Sequence, residues 1–194
     1  MKRSIGIVGA GIGGLHLALY LQKHGVDATI ITDRPVDEYR DSRLLNTVAH
    51  HAVTIARENY LGLDHWNDPK LFYHYHDHFF NFPQPLQFRG DFKKPSRAVD
   101  YRIYLPTLMN DFARRGGRIE IRRIEEGDIP ALVNRFDLLV VSTGKGALGD
   151  LFSYRPEHSP YSQPQRRLCV GLYMGVRQPN PMNVTVSCAP GDGE

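Results

Sequence analysis

The feature that most narrows the folds open to this chain is a set of glycines, Gly9, Gly11 and Gly14, spaced G-x-G-x-x-G directly after the apolar stretch Ser4 to Val8. That stretch reads as a short buried strand, and Leu15, Leu17, Ala18 and Leu21 then show helical spacing through Lys23. Gly25 is placed to end the helix, and Asp27 to Thr32 reads as a second, β-branched strand. Strand, helix and strand within about 30 residues make one parallel unit with a crossover helix. In that setting each glycine has its own physical role. One permits a tight turn, one lets the backbone approach a pyrophosphate closely, and one lets helix pack on strand. The helix N-terminus adds free N–H groups and a positive dipole end. The pattern predicts an ADP-containing cofactor, and a glycine-rich turn without a ligand is the alternative.

The acid that usually anchors the ribose is displaced. Thr32 occupies the end of the second strand, and Asp33 and Arg34 follow it as candidate cofactor contacts, although Asp33 also suits a turn. Weak ribose anchoring would fit a flavin that comes and goes. The run D-L-L-V-V-S-T-G-K, Asp137 to Lys145, resembles the late strand of two-domain flavoproteins, which ends in a small-Thr-Gly turn near the cofactor. It adds Thr143 and Gly144 to the candidates and favours FAD over NAD. Its near-continuous apolar character predicts a central parallel strand covered on both faces.

Between these segments, Leu71 to Phe82 alternates aromatic and histidine residues before Pro83 and Pro85, which predicts a strand leading into a turn. Tyr101 to Arg114 returns to helical spacing, and Gly116 and Gly117 stop it before a strand from Arg118 to Ile124. The Pro-, Ser- and Gln-rich stretch Arg155 to Arg167 marks a connection, and Leu168 to Val176 and Val184 to Cys188 read as two more strands. The expected fold is α/β: a Rossmann-like FAD-binding domain of the two-domain flavoprotein monooxygenase type over 1–70 and 96–155, with part of a β-rich substrate domain over 71–95 and 165–194. A sheet begun but not closed suggests an incomplete protein.

Composition excludes several classes. Of 194 residues 41% are hydrophobic, enough for a real core, and 24 Lys and Arg are scattered among 21 Asp and Glu for a net charge of +3. No run of one sign implies a nucleic-acid or membrane-surface partner. Cys169 and Cys188, without secretory features, suggest reduced thiols in a cytoplasmic protein. Lys2 and Arg3 before Ile5 to Leu21 mimic a signal peptide, but the glycines inside that stretch and the strand after it argue against one. No stretch reaches the roughly 20 apolar residues of a membrane span.

Four irregular strings carry a more specific signal: S-R-L-L-N-T-V-A-H-H (Ser42 to His51), K-P-S-R-A-V-D-Y-R (Lys94 to Arg102), S-T-G-K-G-A-L-G (Ser142 to Gly149) and P-Q-R-R-L-C-V-G-L (Pro164 to Leu172). They resemble the FAD-dependent oxygenase component of styrene monooxygenases, over essentially the whole chain. The resemblance implies a two-domain protein of about twice this length, of which this sequence lacks the C-terminal half, binding FAD that a separate NADH-dependent flavin reductase has reduced, and it allows a homodimer. It implies epoxidation of styrene-like vinyl aromatics by an electrophilic flavin C4a-hydroperoxide formed with O2, with no base needed to activate the alkene. What the protein must do is exclude water and supply a few fixed hydrogen bonds. Indole monooxygenation, a self-sufficient NAD(P)H-dependent aromatic hydroxylase, and a flavin-binding fragment without turnover are the alternatives.

Carried over by resemblance, Arg43, Leu44, Leu45 and Asn46 would line the flavin ring, while Val48, His50, Tyr73, His76 and Ser96 would join Asn46 around the substrate. Arg102 is a further flavin candidate, although the segment Arg97, Asp100, Arg102 also suits the start of a helix. In extended chain Asn46, Val48 and His50 would share one face. Tyr73 and His76, three apart, would need a bulge between them to share one. His74, His76 and His78 alternate, but no Cys or carboxylate set completes a metal shell, so no metal is expected. Of the adjacent His50 and His51 only one can face a pocket. Arg118, Glu120 and Arg122 read as a solvated charge ladder.

Overall fold

The computed structural model describes residues 3–43, 49–144, 148–164, 169–177 and 179–188. Along the chain the elements are β1 (Ser4–Val8), α1 (Ile12–Lys23), β2 (Asp27–Thr32), α2 (Val36–Arg40), β3 (Ala49–His50), α3 (Ala52–Tyr60), β4 (Phe72–Phe80), β5 (Leu86–Ala98), α4 (Tyr101–Arg114), β6 (Arg118–Ile121), α5 (Ile129–Arg135), β7 (Leu138–Val141) and β8 (Val184–Cys188). Two compact units form, Met1–Leu45 with Tyr101–Ser162 and Asn46–Asp100 with Gln163–Glu194.

In the first unit a parallel sheet has the order β6-β2-β1-β7. β1 shows why both of its faces are covered. Ile7 is 0% exposed and lies beside Gly14 of α1, whereas Gly6 and Val8 point the other way, to the ring of Phe136 and to Leu132 of α5. A side chain on Gly6 would strike that ring, its Cβ 2.5 Å from a ring carbon. α4 packs beside α1 and buries Tyr104, Leu108, Met109 and Phe112. Each such side chain contributes about 1.5–3 kcal/mol of transfer free energy, so this face anchors the unit.

Two expectations about strands are corrected here. β7 lies at the edge of this sheet among the described residues, not at its centre, and Leu138 is 54% exposed. β6 stops at Ile121, three residues short of the expected end, because the chain turns there to bury Ile124 beside Val8 and Leu148.

The second unit holds a sheet of order β3-β5-β4-β8, antiparallel except for the β4–β8 pair. β4 and β5 form a long hairpin with an irregularity where Tyr73 pairs with Ser96 but Tyr75 pairs with Asp91. The extra residues on β5 include Pro95, which has no N–H to give to a ladder and fits at such a bulge. Residues 46–70 fall in this unit rather than with the cofactor-binding part, which corrects the expected boundary. The reason is pairing: Ala49 and His50 of β3 lie opposite Ala98 and Arg97 of β5. The strand expected over Leu168 to Val176 does not form in the described residues from Cys169 onward, where Gly175 has φ +82° and Met174 is 99% exposed. No helix among the described residues is long and apolar enough to cross a membrane.

Candidate functional site

The first unit carries a cleft of about 620 Å³ at the C-terminal ends of its parallel strands. Its walls come from the end of β1 and the turn after it (Val8 to Gly13), the end of β2 (Ile31 to Arg34), the turn after β6 (Arg122 to Ile124) and the turn after β7 (Ser142 to Gly144). That edge is where open α/β sheets bind ligands, because the crossover helices begin there and aim their N–H groups inward.

The glycines divide by role as their spacing predicts. Gly9 has φ +113°, and a Cβ there would lie 2.5 Å from the Ser142 carbonyl oxygen, so the turn requires glycine. At Gly14 a Cβ would overlap the Gly9 carbonyl oxygen, so this position serves the packing of α1 on β1. Gly11 is different. Its φ is −75°, and the nearest protein atom to an added Cβ is the Ser142 carbonyl oxygen at 4.0 Å. Nothing in the protein demands glycine there, and the space a side chain would fill is the cleft. Gly11 is also the N-cap of α1 with no capping side chain, and no acid occupies the first turn. The first N–H groups of α1 are therefore left for a ligand acceptor.

Charge at the cleft is mainly cationic. Arg34, Arg122 and Arg123 line it, and Asp33 sits beside Arg34 at 3.8 Å with its side chain 59% exposed. Arg122 is held by an ion pair with Asp128, and its N–H donates to the Thr32 carbonyl at 2.7 Å. The Arg122 contact keeps the Asp128 carboxyl below the usual range, after the larger effect of the Glu125 N–H. The expected solvated ladder is thus corrected: Arg122 belongs to the cleft, and Glu120 is paired with Arg135 of α5, whose hydrogen bond lowers the Glu120 pKa.

Of the expected cofactor residues, Gly9, Gly11, Asp33, Arg34, Thr143 and Gly144 line the cleft. Gly14 supports it from behind. Arg43 and Arg102 are not among the lining residues; Arg43 is exposed, and Arg102 is half-buried in the first turn of α4. Leu44, Leu45, Asn46 and Val48 lie outside the described residues. Tyr39, Leu105 and Leu148 were not anticipated: Leu105 sits in a helix read only as apolar periodicity, Tyr39 in a short helix without such a signal, and Leu148 in a turn.

In the second unit the ladder register sorts the expected substrate residues onto two faces. His50 stands opposite Arg97, so the two share a face, and there α3 closes over them. Glu58 of α3 binds both, His50 Nδ1 at 2.7 Å from Oε1 and Arg97 in an ion pair with Oε2, and Arg97 also donates to the Trp66 carbonyl at 2.8 Å. His50 is 1% exposed. This corrects its placement beside Tyr73 and Ser96: His50 is part of a buried ionic cluster on the other face.

Ser96 faces away from that cluster, paired with Tyr73 across the ladder. His51, not His50, reaches this face, with Nδ1 2.7 Å from Ser96 Oγ. The irregularity after Tyr73 lets its ring stack on His76, centroids 5.8 Å apart and planes 10° apart. Phe92, which no sequence pattern singles out, meets Tyr73, His76 and His51 edge-on. Burial raises the Tyr73 pKa, partly offset by the neighbouring Ser96 hydroxyl, and burial followed by His78 and His51 lowers that of His76. The cluster is therefore aromatic, uncharged near neutral pH at these two groups, and supplied with a few hydroxyl and imidazole hydrogen bonds. Among the described residues no group of three or more His, Cys, Asp or Glu is placed to hold a metal ion.

Similarity to known proteins extends over the whole chain. Residues 144–194 match the family described as "Styrene monooxygenase A putative substrate binding domain". Over all 194 residues the chain is 50% identical to styrene monooxygenase StyA of Pseudomonas sp and, to the same extent, to that of Pseudomonas fluorescens. It spans 47% of each, about half the length of these curated relatives. Among solved structures it resembles the flavin-dependent brominase Bmp2, at TM-score 0.51 and 14% identity over 66% of this chain and 32% of that one. It also resembles 2-methyl-3-hydroxypyridine-5-carboxylic acid oxygenase, at TM-score 0.50 and 17% identity over 61% and 31%. At such identities the likeness is one of fold, and it shows the Rossmann-like α/β architecture expected from the glycine spacing.

Proposed function

We infer that this chain is a flavoprotein of the styrene monooxygenase type, and that it forms the FAD-binding part of the oxygenase component of a two-component system. On this reading the complete protein epoxidises styrene-like vinyl aromatics, takes FAD reduced by a separate NADH-dependent reductase, works in the cytoplasm, and can pair as a homodimer. One observation carries the cofactor reading: Gly11 has open space where a side chain would stand, at the uncapped N-terminus of a 12-residue helix. The identity of 50% to StyA supports the substrate class.

The residues present fit FAD. The α1 N-terminus would receive the pyrophosphate, with Arg34 and Arg122 adding positive charge and Asp33 offering an acceptor to the ribose. Thr143 and Gly144 would border the cofactor after β7, and Arg43, Leu44, Leu45 and Asn46 would approach the ring by family resemblance. When bound and reduced, FAD supplies the electrons by which one atom of O2 is transferred to the vinyl group. Tyr73, His76 and Phe92 offer flat apolar surface that suits an aromatic substrate and excludes water. The lowered pKa of His76 keeps a positive charge off this surface. The Ser96 hydroxyl is held by the His51 ring, and Asn46 and Val48 would add a polar contact and a wall.

Stopped-flow mixing of the FAD-loaded protein with NADH tests the electron source. No flavin bleaching is expected until a flavin reductase is added. Fast bleaching by NADH alone would favour a self-sufficient hydroxylase, and absence of FAD binding would remove the cofactor reading.

A further inference from the structure

His50 and His51 are adjacent and chemically identical, so their own side chains do not say which goes to which face of the second sheet. The described part of β3 is too short to decide it. β3 pairs with β5 through Ala49 and His50, and a slip of one residue would turn His51 towards α3 and His50 towards Ser96. Yet the two are sorted. His50 is 1% exposed beneath α3, whereas His51 Nδ1 lies 2.7 Å from Ser96 Oγ and its ring meets the edge of Phe92.

Glu58 supplies the distinction. Its Oε1 lies 2.7 Å from His50 Nδ1 and its Oε2 pairs with Arg97, and His50 and Arg97 are direct partners across the ladder. One carboxylate thus spans a rung of the β3–β5 pairing. Arg97 is anchored separately, donating to the Trp66 carbonyl at 2.8 Å and to the Asn67 side chain at 3.3 Å, so it serves as a fixed reference. The helix fixes the other end, because His51 is the N-cap of α3 and its carbonyl accepts from the Ile55 N–H at 3.0 Å. A slipped strand would carry His50 away from the carboxylate that Arg97 holds. Glu58 and Arg97 are both 0% exposed. A buried ion pair adds little net stability, since both charges lose their hydration, but it opposes any register that leaves a charge unpaired in the interior.

We propose that Glu58 is a positioning residue for the aromatic face: by bridging His50 and Arg97 it fixes the register of β3 on β5, and so places His51 rather than His50 beside Ser96 and Phe92. The proposal rests on the reading of the Tyr73 face as the substrate side. It deepens that reading, because the imidazole presented to an aromatic substrate is then chosen by a carboxylate on the opposite face of the sheet.

The test uses the full 194-residue chain without FAD, NADH or substrate, so its failure is distinct from failure of the flavin or substrate reading. Imidazole nitrogen–proton correlations are recorded by NMR, with the His51 signals assigned through His51→Gln. Glu58→Leu combined with Arg97→Met removes both charges at similar volume and leaves both histidines in place. Wild type should give one set of His51 signals. The double variant, shown to be folded by circular dichroism, should give two, the second rising from below about one part in a hundred to at least about a tenth. A single His51 set at wild-type shifts in the folded double variant would overturn the proposal, since lost stability alone lowers the melting temperature without creating a second register. Should the double variant fail to fold, Glu58→Gln, which keeps the shape and drops the charge, takes its place and is read against the same two outcomes.

Discussion

Replacing Gly11 by valine separates a residue kept for its ligand from residues kept for the fold. An added Cβ meets no protein atom closer than 4.0 Å, and the backbone at φ −75°, ψ 178° is open to a β-branched residue. The fold should therefore lose only what an apolar N-cap costs relative to glycine, about 0.5–1 kcal/mol. The ligand loses far more. A valine side chain would take up part of the cleft against the α1 N-terminus and push a pyrophosphate away from its N–H donors. Loss of one charge-assisted hydrogen bond is about 1.5–3 kcal/mol, which corresponds to a rise in Kd of roughly 10- to 150-fold. Displacement from two donors, at about 3–6 kcal/mol, would take it to roughly 150-fold or more. Flavin fluorescence titration gives Kd, and a thermal melt of the same samples checks folding. A folded Gly11→Val protein that bound FAD as tightly as wild type would refute the assignment of this cleft to the cofactor pyrophosphate.

Gly14→Ala should behave in the opposite way, because its Cβ would overlap the Gly9 carbonyl; a melting temperature lowered by several degrees is expected from a cost of about 1–3 kcal/mol. Glu58→Ala removes the counter-ion of the fully buried Arg97 and one partner of His50, which should cost about 3–5 kcal/mol. The single tryptophan, Trp66, lies in the same unit with its carbonyl bonded to Arg97, so fluorescence during urea unfolding reads this loss directly. His76 resists protonation in the fold, its pKa lying below the ordinary 6.5, so the unfolded chain binds the proton first; its contribution is complete above that value and declines as the pH falls through the folded pKa. The difference in melting temperature between wild type and His76→Gln should narrow as the pH falls below the ordinary histidine value. Asp137, whose carboxylate accepts from the Ser4 N–H at 2.7 Å, is lowered below 3.8, so its contribution is present above that pH and lost on further acidification. Asp137→Asn should flatten the acid limb of the same melt series.

Part of this protein was legible without coordinates. Strand, glycine turn, helix and strand appear from Ser4 to Thr32 as read, because that unit is built from contacts near in sequence and each residue type has one local use there. Tyr101–Arg114 and Val184–Cys188 also match their sequence signal, and the irregularity needed to bring Tyr73 and His76 together is present. The failures share a cause. The charges of β6 looked like a solvated face, yet Arg122 lies past the strand end and lines the cleft. His50 was placed at the pocket by family resemblance, and strand alternation agreed with that, whereas its face is set by its partner across the ladder, Arg97.

That a nucleotide-shaped turn follows β1, and which of its glycines would face the ligand, was written in the order of the residues, since steric freedom at a single residue is a local property. Packing between distant segments settled the rest: His51 rather than His50 bonds Ser96, Phe92 joins Tyr73 and His76, and Arg122 and Leu148 help to wall the cleft. Those outcomes depend on strand register and on chain crossings between residues far apart in sequence. A shift of one residue in pairing exchanges the two faces of a strand, and no property of the strand's own residues records which register its partner will impose.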